Sequence, residues 1–592
     1  MTSPRLLLSL TLALSLPTAL AGQSPELGLP DLPPLRADSP RDSLLFADRF
    51  PVGQDNAAYD SYAATMQSGI LPKTLTGTDF VEFYHYQIPD SYDGSGPGHP
   101  LVIAFHGFGG SSATPGNQST IDEECNARGW LFVAPTGIDD KLFGAPMSQQ
   151  NSEAAVQWMI DNFNVDEDRI YAVGFSMGGG IAANFAARRR DPDSIMIAAV
   201  GMVSSTFDWV MAYHQNFPLL HDWFTNQFNF NAAPSVDPWP YQQASGAFHI
   251  ESSYPPYPGS IVPAESMVLN LVDLPVYITY DTLDDLTYVP PINAQLNQDL
   301  MDAGFDTLLR VKTGTVDPSD GVTPAPHSWA VLDEVEMFDF FGTQTVDRHP
   351  ASFEATQDLG GPVSWVDSTQ FASGGFSYVS GEADTGSNSL TLFGVANTNA
   401  LRIDAAAAGL TGMPRVSASS ADVRAFDLTL GDTLQPPSYL TDAISGLLVP
   451  LVDSDPLAQT LSVAVPAMGT HDFDVVHDPG WTAALTSTPN PVSIGASSQI
   501  DMDGPAGAFG AWFIVAAEEQ LLHVQGITLA ALPVPPAVVF FVPLDAAGDI
   551  SFPANIPNGP AFSGIRLPIQ AIAVDATHTP IAVTNLWGFE VD

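Results

Sequence analysis

RIYAVGFSMGGGIAANFAARRR, residues 169–190, is the stretch that decides the fold. Ile170 to Val173 make an apolar, strand-like run. Gly174-Phe175-Ser176-Met177-Gly178 follows, and then a helix-like segment closing on Arg188, Arg189 and Arg190. A serine hydroxyl is a weak nucleophile near neutral pH, so it needs a neighbouring base and a third group to orient that base. Small residues two before and two after the serine permit a sharp strand-to-helix turn that exposes its oxygen. The arginines suit a helix C-terminus, where cations oppose the negative end of the macrodipole. The plainer reading is a glycine turn without chemistry, and distant parts of the chain distinguish the two.

Upstream, PLVIAFHGFGGS (residues 100–111) ends an apolar strand in His106-Gly107-Phe108-Gly109-Gly110. An oxyanion hole needs two backbone N–H groups aimed at one point. Met177, the residue after the serine, offers one, and the turn after this earlier strand offers the other at Phe108. His106, at a strand end before glycine, reads as a turn-stabilising residue rather than a base. Downstream the chain offers an acid and then a base, in the order Ser…Asp…His. The acid lies in VYITYDTLDDLTYV (276–289), where Asp281 ends a strand and Asp284 and Asp285 follow it. The base is His327 in PAPHSWAVLDEVEMFDFF (324–341), in a polar loop before an amphipathic helix. His214, His221 and His349 lack such a setting. Trp329, two residues after His327, is expected to line the substrate pocket together with Phe108.

From about 75 to 345, strand-like runs alternate with helix-like ones, which predicts a mostly parallel sheet flanked by helices. The strands read as VEFYHYQIP, PLVIAFHG, WLFVAPTG, RIYAVGFS, MIAAVGMVSS, LPVYITYD and TLLRVKTG, with helices in NSEAAVQWMIDNF and PPINAQLNQDLMDAG. Residues 206–270 form a long aromatic connection, expected as a cap whose rings mostly pack on one another. After VDRHPAS the character changes. Residues 351–592 contain no lysine and four arginines (Arg402, Arg415, Arg424, Arg566), in short Val/Leu/Ala/Thr runs broken by Gly, Pro, Asn and Asp. Two all-β, sandwich-like modules are expected, 346–475 and 476–592. Residues 1–21 read as a secretory signal, with Arg5 before an apolar run and Ala19-Leu20-Ala21 as the cleavage site, and 22–74 as a proline-rich extension. The expected location is extracellular or periplasmic.

The formal charge is −48, from 66 acidic and 18 basic residues, with lysine only at Lys73, Lys141 and Lys312. Binding nucleic acid needs phosphate-neutralising cations, so nucleic acid and anionic membranes are poor partners. Cys125 is the single cysteine, so no disulfide can form within the chain. It reads as a buried structural thiol. Asp-rich DPSDG (317–321) lacks the spacing of a calcium loop and reads as a turn.

Taken together, PLVIAFHGFGGS, GWLFVAPTG, VDEDRIYAVGFSMGGG, TLDDLTYV and HSWAVLDEVEMFDFF resemble the secreted α/β-hydrolase esterases of the polyhydroxybutyrate depolymerase and feruloyl esterase group, over roughly 270 residues. In that group the acid stands in a Gly-Thr-x-Asp-x-x-Val pattern. Here Asp281 replaces the glycine, and aligning Thr282 with the motif threonine selects Asp284, with Asp285 as its rival. The disulfides of several members are missing. The resemblance implies two-step ester hydrolysis by Ser176, His327 and Asp284, with Phe108 and Met177 as oxyanion donors and no metal or organic cofactor. The expected substrate is an ester of a polymer: a polyester such as polyhydroxyalkanoate or an aromatic polyester, or alternatively a feruloyl or acetyl ester of plant polysaccharide. A non-catalytic adhesion protein is a distant third reading. The β-rich half is expected to act as an accessory whose removal leaves soluble-ester turnover intact, with binding of polymer or carbohydrate, a passive spacer and a sorting module as equal readings.

Overall fold

The computed structural model describes residues 66–591 apart from several breaks, the longest being 248–265. The proposed signal, most of the proline-rich extension, and Phe217, Phe228, Phe248, Tyr254 and Tyr257 of the aromatic connection lie outside the described residues.

The alternating runs build one eight-stranded sheet. Its strands are β1 (Gln67–Leu71), β2 (Glu82–Gln87), β3 (His99–Phe105), β4 (Leu131–Pro135), β5 (Val165–Phe175), β6 (Ala199–Val203), β7 (Val276–Asp281) and β8 (Thr307–Lys312), in the order β1-β2-β4-β3-β5-β6-β7-β8. From β4 to β8 every pairing is parallel, and β1 and β2 add an antiparallel margin. Parallel strands need crossover connections, which place helices on both faces and bury the strands from both sides. That is why the runs are continuously apolar. On β3, Leu101, Ile103 and Phe105 pack towards one face, while Val102 and Ala104 pack towards the other. The first face carries the helices Pro146–Asn162, Met177–Arg188 and Val289–Asp302, and the second carries Ile121–Arg128 and Glu334–Phe341. The strand β1 falls inside the stretch read as an extension, and the helix at Pro146 starts five residues before the expected segment at Asn151.

Cys125 is fully buried on the second face, where burial pushes its thiol well above the usual range. The same helix places Asp122 and Glu123 side by side. Burial pushes both carboxyls up, Glu123 to about 8, with the hydrogen bond and charge of Asp122 adding to its shift. The folded pair therefore keeps a proton that the unfolded chain releases in the ordinary carboxylate range. Stability from this pair is present below that range and is lost as pH rises towards about 8. Glu123→Gln is expected to lose less of its melting temperature between pH 5 and pH 8 than the unmodified protein. Parallel melting curves for the two would disprove this origin.

The remaining chain is strand-rich and mostly antiparallel. Between Ser352 and His477, a six-stranded and a seven-stranded sheet share one core, including Trp365, Leu392, Ile403, Leu428, Val463 and Phe473. Between Trp481 and Val591 lies a further eight-stranded sheet with a two-stranded hairpin, its core built on Leu485, Ile500, Phe513 and Ala571. The first of these assemblies is docked on the helical layer. Asp358 accepts from Arg188 at 2.7 Å and from Gln243 at 2.8 Å. Asn270 and Thr356 exchange hydrogen bonds of 2.6 and 2.7 Å, and Trp239 meets Phe376 edge-on at 4.8 Å. No helix among the described residues is long and apolar enough to cross a membrane.

Candidate active site

The strand β5 ends in a turn that only a particular set of residues can make. Ser176 sits at φ 53° and ψ −117°, a conformation that a side chain disfavours, and Met177 begins the next helix directly after it. The bend brings backbone against backbone: a Cβ on Gly174 would strike the carbonyl of Gly178, and one on Gly178 would strike the carbonyl of Phe105. The strain is held by hydrogen bonds from Ser176 N–H to Val203 O (2.8 Å) and from Thr206 N–H to Ser176 O (3.0 Å). The Ser176 hydroxyl is thereby lifted above the C-terminal edge of the sheet.

The loops after β7 and β8 bring the other two groups to it. His327 Nε2 lies 2.9 Å from Ser176 Oγ, and His327 Nδ1 lies 2.9 Å from Asp284 Oδ2. The Asp284 side chain is fully buried and that of His327 is 19% exposed, so the acid is sealed while the imidazole reaches the surface of the cleft. The other oxygen of Asp284 accepts the Leu286 N–H at 2.8 Å, which fixes the carboxylate. Phe175 packs its ring against that of His327 at 4.8 Å.

Asp285 is exposed, and the carboxylate that meets His327 Nδ1 is that of Asp284. Asp281 has a different task. It is fully buried and accepts from the N–H groups of Leu283, Gly314 and Thr315 and from the Thr315 hydroxyl. Those hydrogen bonds hold its carboxyl below the usual range against the opposing effect of burial. Asp281 thus ties the loop carrying Asp284 to the one after β8.

The two N–H groups expected from the sequence to face an oxyanion are those of Phe108 and Met177. Met177 is the first residue of its helix, where the N–H has no intrahelical acceptor. The Phe108 N–H is not taken up by any group among the described residues. Its turn is braced by bonds from Gly109 N–H to Asp140 O (2.9 Å) and from Gly110 N–H to Gly107 O (3.0 Å). His106 is buried, and both of its ring nitrogens face carbonyl oxygens, Gly107 O at 2.8 Å and Thr136 O at 3.1 Å. It has no nitrogen left to act as a base, and it pins the turn to the end of β4. Buried Glu82 continues this support by accepting the N–H groups of Gly137 and Ile138 at 2.8 and 3.0 Å.

One expectation needs correction. Trp329 is 1% exposed and lies in the core under the sheet, 5.6 Å from Phe175, so it does not line the pocket. Residues Trp329–Val331 form a single 3-10 turn that swings the indole inwards while His327 faces the cleft. Phe108 remains half-buried at the site and stacks on Phe143 at 5.6 Å. Within the aromatic connection, Trp209, Phe224, Phe230 and Tyr241 are buried against one another and Phe143. His221 stacks on Tyr213 at 4.1 Å and points Nε2 at the Tyr213 carbonyl. Nothing in the sequence marks Phe143, which packs on both Phe108 and the rings of the aromatic connection. It stands in an unremarkable loop after β4.

A strained serine elbow between a parallel strand and a helix, with acid and base following in that order on later loops, is a specific combination. The fold is that of the α/β-hydrolases. A family model described as the prolyl oligopeptidase family matches residues 148–258. Feruloyl esterase C of Emericella nidulans is 29% identical over 173 residues, 27% of this chain and 60% of that protein. A probable feruloyl esterase C of Aspergillus niger is 28% identical over 133 residues, 20% of this chain and 47% of that protein. The chain thus spans less than two thirds of the length of these curated relatives. Among solved structures, a ferulic acid esterase shares 15% identity at a TM-score of 0.31, covering 46% of this chain and 95% of that one. The α/β-hydrolase domain holds, among the described residues, no group of three or more potential metal-ligating side chains.

Proposed function

We propose that the protein is an exported serine ester hydrolase that works through an acyl-enzyme on feruloyl-type esters. The observation that carries this reading is the continuous hydrogen-bonded line from Ser176 Oγ through His327 to Asp284, each step 2.9 Å. In the proposed reaction His327 Nε2 takes the hydroxyl proton as Ser176 attacks the ester carbonyl. Asp284 holds the Nδ1–H and stabilises the imidazolium that forms. The developing oxyanion is met by the Phe108 and Met177 N–H groups, each of which contributes about 3 kcal/mol in sites of this kind. His327 then returns the proton to the leaving alcohol, and a water molecule releases the acid by the same route.

Two esters are expected from the sequence, and the relatives named feruloyl esterases favour the aromatic acid over the polyester. The half-buried Phe108 face and the aromatic connection suit an aromatic acyl group. The match to the prolyl oligopeptidase family supports a second reading, hydrolysis of peptide amides at the same serine.

A fluorophosphonate probe followed by peptide mass spectrometry is expected to label Ser176. Methyl ferulate and p-nitrophenyl acetate should be cleaved faster than peptide p-nitroanilides or polyhydroxybutyrate suspensions. Faster amide cleavage would favour the peptidase, and clearing of the suspension would favour the polyester enzyme. Absence of both the label and any turnover would overturn the hydrolase reading.

A further inference from the structure

The contact between the first β assembly and the α/β-hydrolase domain is built on residues close to the site's own supports. Asp358 is 7% exposed and is shared between Arg188, the last residue of the nucleophile helix, and Gln243 in the helix Trp239–Ala244. Arg188 also donates to the Gln243 carbonyl at 2.9 Å. At the neighbouring residue, Asn270 donates to Ala187 O at the C-terminal end of the nucleophile helix while pairing with Thr356. The nucleophile helix therefore has Ser176 at its start and the β assembly at its end.

The helix Trp239–Ala244 faces two ways. Trp239 packs on Phe376 of the β assembly, and Tyr241 packs on Phe230 with ring centroids 4.2 Å apart. From there the rings run on without a gap. Tyr241 also meets Phe224 at 6.1 Å, Phe224 stacks on Phe143 at 4.2 Å, and Phe143 stacks on Phe108 at 5.6 Å. The N–H of Phe108 is one of the two groups proposed above to meet the oxyanion.

We propose that the first β assembly is part of the catalytic unit, with Asp358 a positioning residue that holds the helix Trp239–Ala244 and, through this column of rings, the Phe108 turn. The role replaces, for residues 352–477, the accessory part expected from the sequence. Its catalytic side rests on the ester-hydrolase reading, and its mechanical side does not. Close-packed columns transmit displacement because protein interiors lack the free volume to absorb it. Changes along such a network, away from any ligand, alter coupling by roughly 2- to 30-fold.

The test uses the full chain with Asp358→Asn, which keeps the side-chain shape, and Phe376→Leu, which alters only the ring contact. Three quantities are followed: kcat and KM on a small soluble ester, amide hydrogen exchange of residues 107–110, and melting temperature. We expect kcat to fall about tenfold with KM within about twofold, faster exchange at 107–110, and partial recovery in Asp358→Glu. Adding Phe143→Leu to Asp358→Asn should cost less than the two separate losses combined, because both interrupt one column. Lower melting temperatures with unchanged kcat and unchanged exchange at 107–110, in both variants, would overturn the proposal, as would strict additivity. If the protein cleaves no ester, the exchange measurement still decides the mechanical coupling, and only the hydrolase reading fails.

Discussion

Replacing Ser176 with alanine is expected to lower kcat by at least about 10^4-fold while the protein remains folded. The loss is chemical: His327 keeps its place against Asp284, but no oxygen stands 2.9 Å from Nε2 to be deprotonated. Alanine inherits the positive φ of 53°, so the backbone strain is unchanged and melting should stay close to that of the unmodified protein. Ser176→Gly makes the complementary test. Glycine tolerates that conformation, so this variant should be equally inactive yet more stable by about 1 kcal/mol. Kinetics and calorimetry on the two variants together separate the hydroxyl's chemistry from the cost of holding it in place. Substantial turnover in either one would show that another residue is the nucleophile.

The second large effect distinguishes neighbouring carboxylates. Asp284→Asn should lower kcat by about 10^4-fold, because the amide cannot hold the imidazole in the tautomer with a proton on Nδ1 and a free Nε2. KM should move little, since Asp284 is sealed beneath His327 and has no exposed surface to offer a substrate. Asp285→Asn, one position along on the exposed side of the loop, should stay within about twofold of the unmodified enzyme, as surface changes generally do. Asp281→Asn belongs to a third class. It weakens the four hydrogen bonds that join the loops after β7 and β8, so its effect should appear first as a lower melting temperature. Equal losses in Asp284→Asn and Asp285→Asn would leave the acid role unassigned and contradict the geometry.

Much of this site could be read from the chain because its chemistry imposes local rules. A serine elbow needs small residues at fixed offsets, so Gly174 and Gly178 announce Ser176. Strands buried on both faces need unbroken apolar runs, so β3 to β7 stand out. Edge strand β1, with the sequence QSGIL and a mostly exposed pattern, carries no such mark. The error at Trp329 has a simple origin: a separation of two residues from His327 says nothing of direction where the backbone makes a 3-10 turn. Contacts between distant segments were the hardest to foresee. Asp358 and Arg188 are 170 residues apart, and nothing in either neighbourhood names the other. The same holds for Phe143, whose importance comes from the rings of Phe108, Trp209 and Phe224 that pack on it from separate segments.

The arginines at 188, 189 and 190 are largely enclosed, the first two paired with Asp358 and Glu153. Cations are thus drawn inwards in a chain whose formal charge is −48. On the proposed chemistry, a neutral ester approaches this anionic exterior without being attracted or repelled. Hydrolysis converts it into a carboxylate, and the same field then drives the product outwards. On that chemistry, a net charge of −48 would make turnover vectorial: entry of the ester indifferent to the field, exit of the acid assisted by it.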